Sequence, residues 1–258
     1  MRALFVGDVV GPAAVVYLAG RVPRLRADLG LDVVIANAEN CAPTGIGMTV
    51  DQVSALRAAG IDVVTAGNHA FDGAEATRVL DLPRVLRPLN LADGVPGRGA
   101  ITIDVDGESL TVLVLADQAA LALAPSVAPF RRRPWEAWAG AERAGTVIVD
   151  YHAQSDMEKY AFAHAVDGTA AAVLGTHTHE PTLPLHILPG GTALVTEVGM
   201  TGPGGGIEGF DAARYVEIMR GTPAAAAQPV RVAGGPVTLG AILLEINEGR
   251  TTGIRRIS

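Results

Sequence analysis

Short β-type runs alternate with longer helical patterns through the first half of the chain, and this alternation constrains the fold more than any other feature. The runs are Ala3 to Val6, Val33 to Ala36 and Asp62 to Ala66, separated by helical patterns from about Ala13 to Leu29 and from about Val50 to Ala59. A β-α-β-α-β order predicts an α/β layered fold on a central sheet. Ile101 to Val105 and Leu110 to Leu115 flank Asp106-Gly107, a dipeptide suited to a tight turn, so an antiparallel hairpin is expected there. Thr146 to Val149 and Ala171 to Leu174 are buried-type strands with a helix between them from about Met157 to Val166. Ala193 to Val198 and Val237 to Ile246 add strands, and the alternation in the last predicts a second sheet or an edge. Two architectures accommodate this set, a two-sheet sandwich with helices outside or one large mixed sheet; the sandwich is the expectation carried forward.

The length of 258 residues and the lack of a long polar linker predict one domain over 1–258. Apolar residues make up 49% of the chain and mean hydropathy is +0.31, enough for a substantial core. No uninterrupted apolar run reaches the roughly 18 to 20 residues that span a bilayer, so no membrane partner is expected. Met1 to Asp8 reads as a strand ending in an acid rather than as a secretory leader, and the expected location is the cytoplasm. The single Cys41 agrees with a reducing compartment and cannot build a thiolate metal site. Net charge of −7 and 4% aromatic residues argue against an extended nucleic-acid surface. Arg131-Arg132-Arg133 is the sole basic cluster, read as a solvated helix entry with a binding patch as the alternative. A homo-oligomer is compatible with the sequence, which says nothing further about assembly. Ala224 to Ala227, between Pro223 and Pro229, reads as a loop or helix end.

Chemistry-bearing residues gather at strand ends. Gly175-Thr176-His177-Thr178-His179 follows a strand-length apolar run, and in an extended segment residues i and i+2 point to the same side. Two imidazoles emerging together are either a metal-ligand pair or two solvent-facing loop histidines. Further polar groups end the other strands: Gly7-Asp8, Asn37-Ala38-Glu39-Asn40, Gly67-Asn68-His69 and Asp150-Tyr151-His152. Individually, Asp8 could cap a helix, Asn68 could hold a turn and His152 could be a half-buried structural histidine. Together they supply the oxygen and imidazole donors that hard and borderline divalent metals use. His164 and His186 fall inside a helix and a loop and are read as structural. The Gly202 to Gly209 loop reads as too flexible for a regular element, with a helix starting near Asp211; it is either a mobile rim or a phosphate cradle.

The spacing of Gly-Asp, Asn-x-Glu-Asn, Gly-Asn-His, a strand-end histidine and Gly-Thr-His-Thr-His, followed by Val198-Gly199-Met200-Thr201-Gly202, resembles the YmdB-like metallophosphoesterases of the calcineurin-like superfamily. The resemblance runs from Met1 to about Gly209; Glu39-Asn40, and Val10 where other branches carry histidine, mark this branch. It implies a four-layer α/β/β/α sandwich with a dinuclear metal centre at the strand ends. The metals would be two divalent or mixed-valence transition ions, iron first and manganese or zinc as alternatives. Carried over by position, Asp8, Glu39, Asn40 and His179 would hold one metal, and Glu39, Asn68, His152 and His177 the other, with Glu39 bridging. A hydroxide held between metals about 3.5 to 4 Å apart would attack the phosphorus. His69 would be the general acid, or else would only orient a ligand. The implied substrate is a small phosphoester, 2′,3′-cyclic nucleotides among them.

The resemblance has gaps. Relatives carry Gly-Arg where Ala116-Asp117-Gln118 stands here, and His-Ala-Glu-Ala-Thr-Ser-Glu-Lys where this chain has His152-Ala153-Gln154-Ser155-Asp156-Met157-Glu158-Lys159. Glu197 replaces a common aspartate. A lost arginine and an added Asp117 would weaken binding of a dianionic ester. The alternatives to the phosphodiesterase are therefore a regulatory protein that kept the metal cage without catalysis, and a dinuclear hydrolase of another ester or amide. Cys41 reads as a small packed residue.

Overall fold

The computed structural model describes residues 1–124, 126, 132–221 and 229–258. Arg131 and the Ala224 to Ala227 tract lie outside the described residues. The chain begins with β1 (Arg2–Val6), α1 (Gly11–Leu29), β2 (Val33–Asn37), α2 (Val50–Ala58) and β3 (Val63–Thr65). A 3₁₀ turn at Asn68–Phe71 leads to α3 (Ala76–Leu80) and β4 (Val85–Leu86). The hairpin follows as β5 (Ala100–Val105) and β6 (Glu108–Ala116), then α4 (Gln118–Ala122), α5 (Pro134–Gly140), β7 (Thr146–His152), α6 (Asp156–Ala165) and β8 (Ala172–Thr176). The rest comprises β9 (His186–Ile187), β10 (Ala193–Val195), β11 (Gly202–Pro203), α7 (Ala212–Met219), β12 (Val237–Thr238), β13 (Ala241–Asn247) and β14 (Arg250–Ile257).

These elements form two six-stranded sheets, ordered β14-β13-β1-β2-β3-β4 and β5-β6-β7-β8-β10-β9, and a small β11-β12 pair. In the first sheet β1, β2, β3 and β4 run parallel; in the second, β6, β7, β8 and β10 do. The parallel strands β2, β3 and β8 are buried along their whole length, as strands covered on both faces must be. Period-two alternation sorts the side chains into separate cores. Leu4, Val34 and Val64 face α1 and α2 and pack with Leu18, Val22, Val53 and Leu56. Their neighbours Phe5, Ile35 and Val63 face the other sheet and meet Val112, Ile148 and Leu174. On that sheet's outer side, Leu113, Val149 and Val173 pack with Ala137 of α5 and with Phe162 and Ala163 of α6. Helix, sheet, sheet and helix are thus joined by three apolar seams, and the expected four-layer α/β/β/α sandwich is the observed architecture.

Strands β1, β2, β3, β6, β7 and β8 and helices α1, α2 and α6 fall close to where the periodicity places them, whereas β4, α3, α4 and α5 match no element expected from the sequence. Val237 to Ile246 is two strands, because Gly240 packs against the Gly199 carbonyl and breaks the run. Its longer half, β13, is an interior antiparallel strand between β1 and β14 rather than an edge or a second sheet. The Gly202 loop does contain an element: Gly202 and Pro203 pair with Thr238 and Val237. The strand expected over Ala193 to Val198 ends at Val195, and His186 sits in the two-residue β9. Arg133 is the N-cap of α5, in keeping with a helix entry. No helix among the described residues is long and apolar enough to cross a membrane.

Cys41 lies in the seam between α1 and the first sheet, fully buried, and burial pushes its thiol up to about 12. Only the thiolate reacts readily with disulfide reagents. The native protein should therefore leave Cys41 unmodified by an aromatic disulfide at pH 8 and release one thiol equivalent only after unfolding in guanidinium. Rapid labelling of the folded protein would contradict this packing.

Candidate metal centre

The carboxyl ends of β1, β2 and β3 meet those of β7 and β8 across the sandwich, and the strand-end residues converge there. Backbone bonds tie the loops together as they leave the first sheet. Val9 N–H donates to the Asn37 carbonyl, Ala38 N–H to that of Thr65, and Gly11 N–H to that of Asn40. Asp8, Glu39, Asn40, Asn68 and His152 are all buried, with His179 nearly so.

Glu39 stands at the middle. Its Oε2 accepts from Gly67 N–H at 2.6 Å and His69 N–H at 3.1 Å, while Oε1 lies 3.0 Å from His152 Nε2. Burial alone would raise this carboxyl; the His152, His69 and His177 rings outweigh it and hold the group well below the usual carboxylate range. Ligand atoms of Glu39, His152 and His177 fall within 4.8 Å of one another. Asn68 joins them, with Oδ1 2.7 Å from His152 Nε2. Two oxygens therefore aim at one imidazole nitrogen. Burial works to lower the pKa of His152, but the Glu39 carboxylate beside it pushes the ring up to about 9. His177, 4.7 Å from the His152 ring centroid, is driven the other way by burial and by the His152 charge.

Asp8 and His179 form the second half. Asp8 Oδ2 accepts from His177 N–H at 3.2 Å, and Oδ1 lies 3.8 Å from His179 Nε2. Burial is the main cause that pushes the Asp8 carboxyl up to about 6. Asp8 Oδ1, Asn40 Oδ1 and Asn68 Nδ2 are buried without a hydrogen-bond partner. Unpaired buried oxygens on a carboxylate and an amide carry a desolvation cost, and a cation placed between them would remove it. The donor set of carboxylate, amide and imidazole fits transition metals of the iron, manganese and zinc kind.

The two loop histidines do not sit as an extended segment would place them. Their φ values are +102° for His177 and +61° for His179, so strand alternation stops at Thr176 and the rings diverge. His177 turns toward His152 and Gln154, whose Oε1 is 3.1 Å from its Nε2. His179 turns toward Asp8, its Nδ1–H donating to the Glu208 carbonyl at 2.8 Å and its ring stacking near Phe210. Glu208 gives the glycine-rich loop a backbone contact with a site histidine.

His69 lies at the rim on the 3₁₀ turn, held by a side chain: Nδ1–H donates to Asp72 Oδ2 at 2.6 Å. Burial lowers the pKa of this imidazole, but the Asp72 bond and the Glu39 charge outweigh it and the net shift is upward. Asp72, three residues on, is a site residue outside the strand-end motifs, and the His-x-x-Asp spacing on one turn is the signal that marks it. Asp150 is more than a strand-end acid. It is fully buried and accepts from Thr65 Oγ1 at 2.5 Å, Thr176 Oγ1 at 2.6 Å and Asn37 Nδ2 at 3.2 Å, joining both sheets beneath the site. Thr176 Oγ1 also lies 2.9 Å from His152 Nδ1, which orients that ring. Asp117 is not among the residues lining the cavity; it caps α4 by accepting from Ala120 N–H and also accepts from Ser155 N–H.

The cavity over these residues is about 270 Å³. Its lining mixes polar groups, among them Glu39, Asn68, His69 and His177, with the apolar side chains of Ile46, Leu123, Phe210 and Val230. Gly67 lies directly under the His152 ring, where any Cβ would overlap the imidazole.

The profile of the YmdB-like protein family matches residues 4–257. A Bacillus subtilis (strain 168) protein named 2′,3′-cyclic-nucleotide 2′-phosphodiesterase is 37% identical over 251 residues, 96% of this chain and 92% of the relative. Among solved structures, a hypothetical protein from Thermus thermophilus superposes with a TM-score of 0.89 at 38% identity, covering 100% of this chain and 98% of the other. A phosphatase from Mycoplasma pneumoniae superposes with a TM-score of 0.88 at 28% identity, covering 100% and 92%. Alike in sequence over nearly its whole length and in the layering that brings the strand ends together, this chain belongs to the YmdB-like protein family.

Proposed function

We propose that the protein is a metal-dependent phosphoester hydrolase, and specifically a phosphodiesterase for small esters such as 2′,3′-cyclic nucleotides. The observation that carries this reading is the convergence of Glu39, His152 and His177 beside buried, unpartnered oxygens of Asp8 and Asn40. The 37% identity to a relative named for that activity supports the substrate class.

In this reading Asp8, Glu39, Asn40 and His179 hold one ion, and Glu39, Asn68, His152 and His177 the other. The ions, iron first with manganese or zinc as alternatives, would supply Lewis acidity toward the phosphoryl oxygens and ready hydroxide from water near neutral pH. Glu39 can serve both positions because one of its oxygens is anchored by backbone N–H groups while the other faces His152. Asp72 fixes the His69 ring through Nδ1, leaving Nε2 as the nitrogen that delivers a proton to the departing ribose oxygen. Phe210 and Tyr215 in the cavity lining, with ring centroids 5.9 Å apart, offer aromatic surface for a flat organic group, as a nucleoside ester requires.

The direct test is hydrolysis of 2′,3′-cyclic AMP with and without added Mn²⁺. Metal-dependent turnover is expected, and its absence in metal-loaded protein would overturn the reading. His69→Ala should lower kcat by about 10²- to 10⁴-fold on this substrate, whose alkoxide leaving group needs a proton. The loss should be much smaller on bis(p-nitrophenyl) phosphate, because nitrophenolate leaves without one. Equal losses on both would remove His69 from the acid role.

Gly67→Ala forces the His152 ring to move. Mn²⁺ affinity, measured calorimetrically, should fall by about 10-fold or more, the scale seen when a metal-ligating histidine loses its orientation. Unchanged affinity would mean that His152 is not a ligand.

A further inference from the structure

Beneath the loop that carries His177 and His179 lies a buried ion pair that the reaction itself does not use. Lys159 on α6 is fully buried, and its Nζ is 3.4 Å from Glu197 Oε2 and 4.0 Å from Asp156 Oδ1. Glu197 is equally buried, with both carboxylate oxygens engaged. Oε2 accepts from Thr178 N–H at 3.0 Å and from Thr178 Oγ1 at 2.8 Å, and Oε1 accepts from Gly199 N–H at 3.1 Å. Thr178 is the residue between the two histidines. Its neighbours on both sides have positive φ, a conformation that β-carbon-bearing residues adopt only when the surroundings impose it.

Burying a lysine and a glutamate together seldom stabilises a fold more than apolar side chains of similar size would. What this pair does that leucine and methionine could not is present an acceptor to two donors of a single loop residue. That carboxylate pins the Thr178 backbone, and the left-handed turns on either side then send one imidazole toward His152 and the other toward Asp8. Arg256 of β14 closes the far side by donating to the carbonyls of Val198 and Thr182, so the segment after Glu197 is held as well.

We infer that Glu197, neutralised by Lys159, is a positioning residue that holds His177 and His179 in their metal-ligating arrangement through Thr178. The inference rests on the metal-site reading above and adds to it a source of the loop's geometry. Neither Glu197 nor Lys159 touches substrate in this account; the pair acts only through the backbone and hydroxyl of Thr178.

The test is Mn²⁺ binding to the full-length protein by calorimetry, alongside thermal unfolding, for Glu197→Gln, Lys159→Met and the double variant Lys159→Met/Glu197→Leu. Each titration is run at a temperature where far-UV circular dichroism shows the variant to be native. Mn²⁺ affinity should fall about 10- to 100-fold in all three, the range for lost support of metal ligands. The double variant should regain much of the Tm that the single variants lose, since no unpaired charge remains buried, yet should stay weak in Mn²⁺ binding. Near-normal affinity in the folded double variant would overturn the inference and leave the pair a packing element. Failure of the unaltered protein to bind Mn²⁺ would overturn the metal-site reading and this inference with it, a different result from variants that bind as the parent does.

Discussion

A negative charge buried where two sheets meet is the constraint on which the rest of this structure depends. Glu39 is 1% exposed, and an isolated carboxylate taken that far from water would be strongly unfavourable. It is tolerated because the strand ends supply backbone N–H groups from Gly67 and His69 on one oxygen and the His152 imidazole on the other. These partners come from both halves of the sandwich: Gly67 and His69 follow β3, and His152 ends β7. The sheets must therefore pack with their carboxyl ends in register across the Phe5, Ile35, Val112 and Ile148 seam before the charge is satisfied. Asp8, Asp150 and Glu197 are buried nearby, and each is compensated differently. Asp150 takes three side-chain donors and Glu197 takes a lysine with backbone donors, whereas Asp8 keeps one oxygen without a hydrogen bond, 3.8 Å from His179 Nε2. The least compensated acid is the one beside His179, which is where a cation would be most stabilising.

Much of this was legible along the chain because it is written in local patterns. Parallel strands covered on both faces read as continuous apolar runs, and the residue types that follow them announce chemistry directly, as in Asn37 to Asn40 and Gly67 to His69. The hairpin at Asp106-Gly107 was equally plain, since the turn demands that dipeptide type. Features set by distant contacts were not legible. The break at Gly240 depends on the Gly199 carbonyl, and the interior place of β13 depends on pairing with β1 from the far end of the chain. In each case the deciding partner is remote in sequence, and period or propensity holds no record of it.

The histidine loop shows why the same limit applies at the site. Its residues identify it as a pair of donors, but an extended reading would aim both rings the same way. Instead each histidine occupies the positive-φ region, at a cost of order 1–3 kcal/mol apiece. A glycine there would relieve the strain and remove the imidazole, so the structure retains both rings and constrains the backbone around them. Thr178 is bound to Glu197, the His179 ring to the Glu208 carbonyl, and the following Met200 N–H to the His179 carbonyl.

That over-determination extends through the glycines rather than stopping at the loop. A Cβ on Gly7 would overlap the Gly199 carbonyl, and one on Gly175 would overlap the Thr196 carbonyl, so the segments before Asp8 and before His177 touch the chain on either side of Glu197 backbone to backbone. Close backbone approach leaves the strand ends few ways to shift independently. The strained histidines, the buried ion pair and the abutting glycines are thus parts of one device. Each is unfavourable or neutral alone, and together they hold carboxylate and imidazole donors close to one another between the sheets.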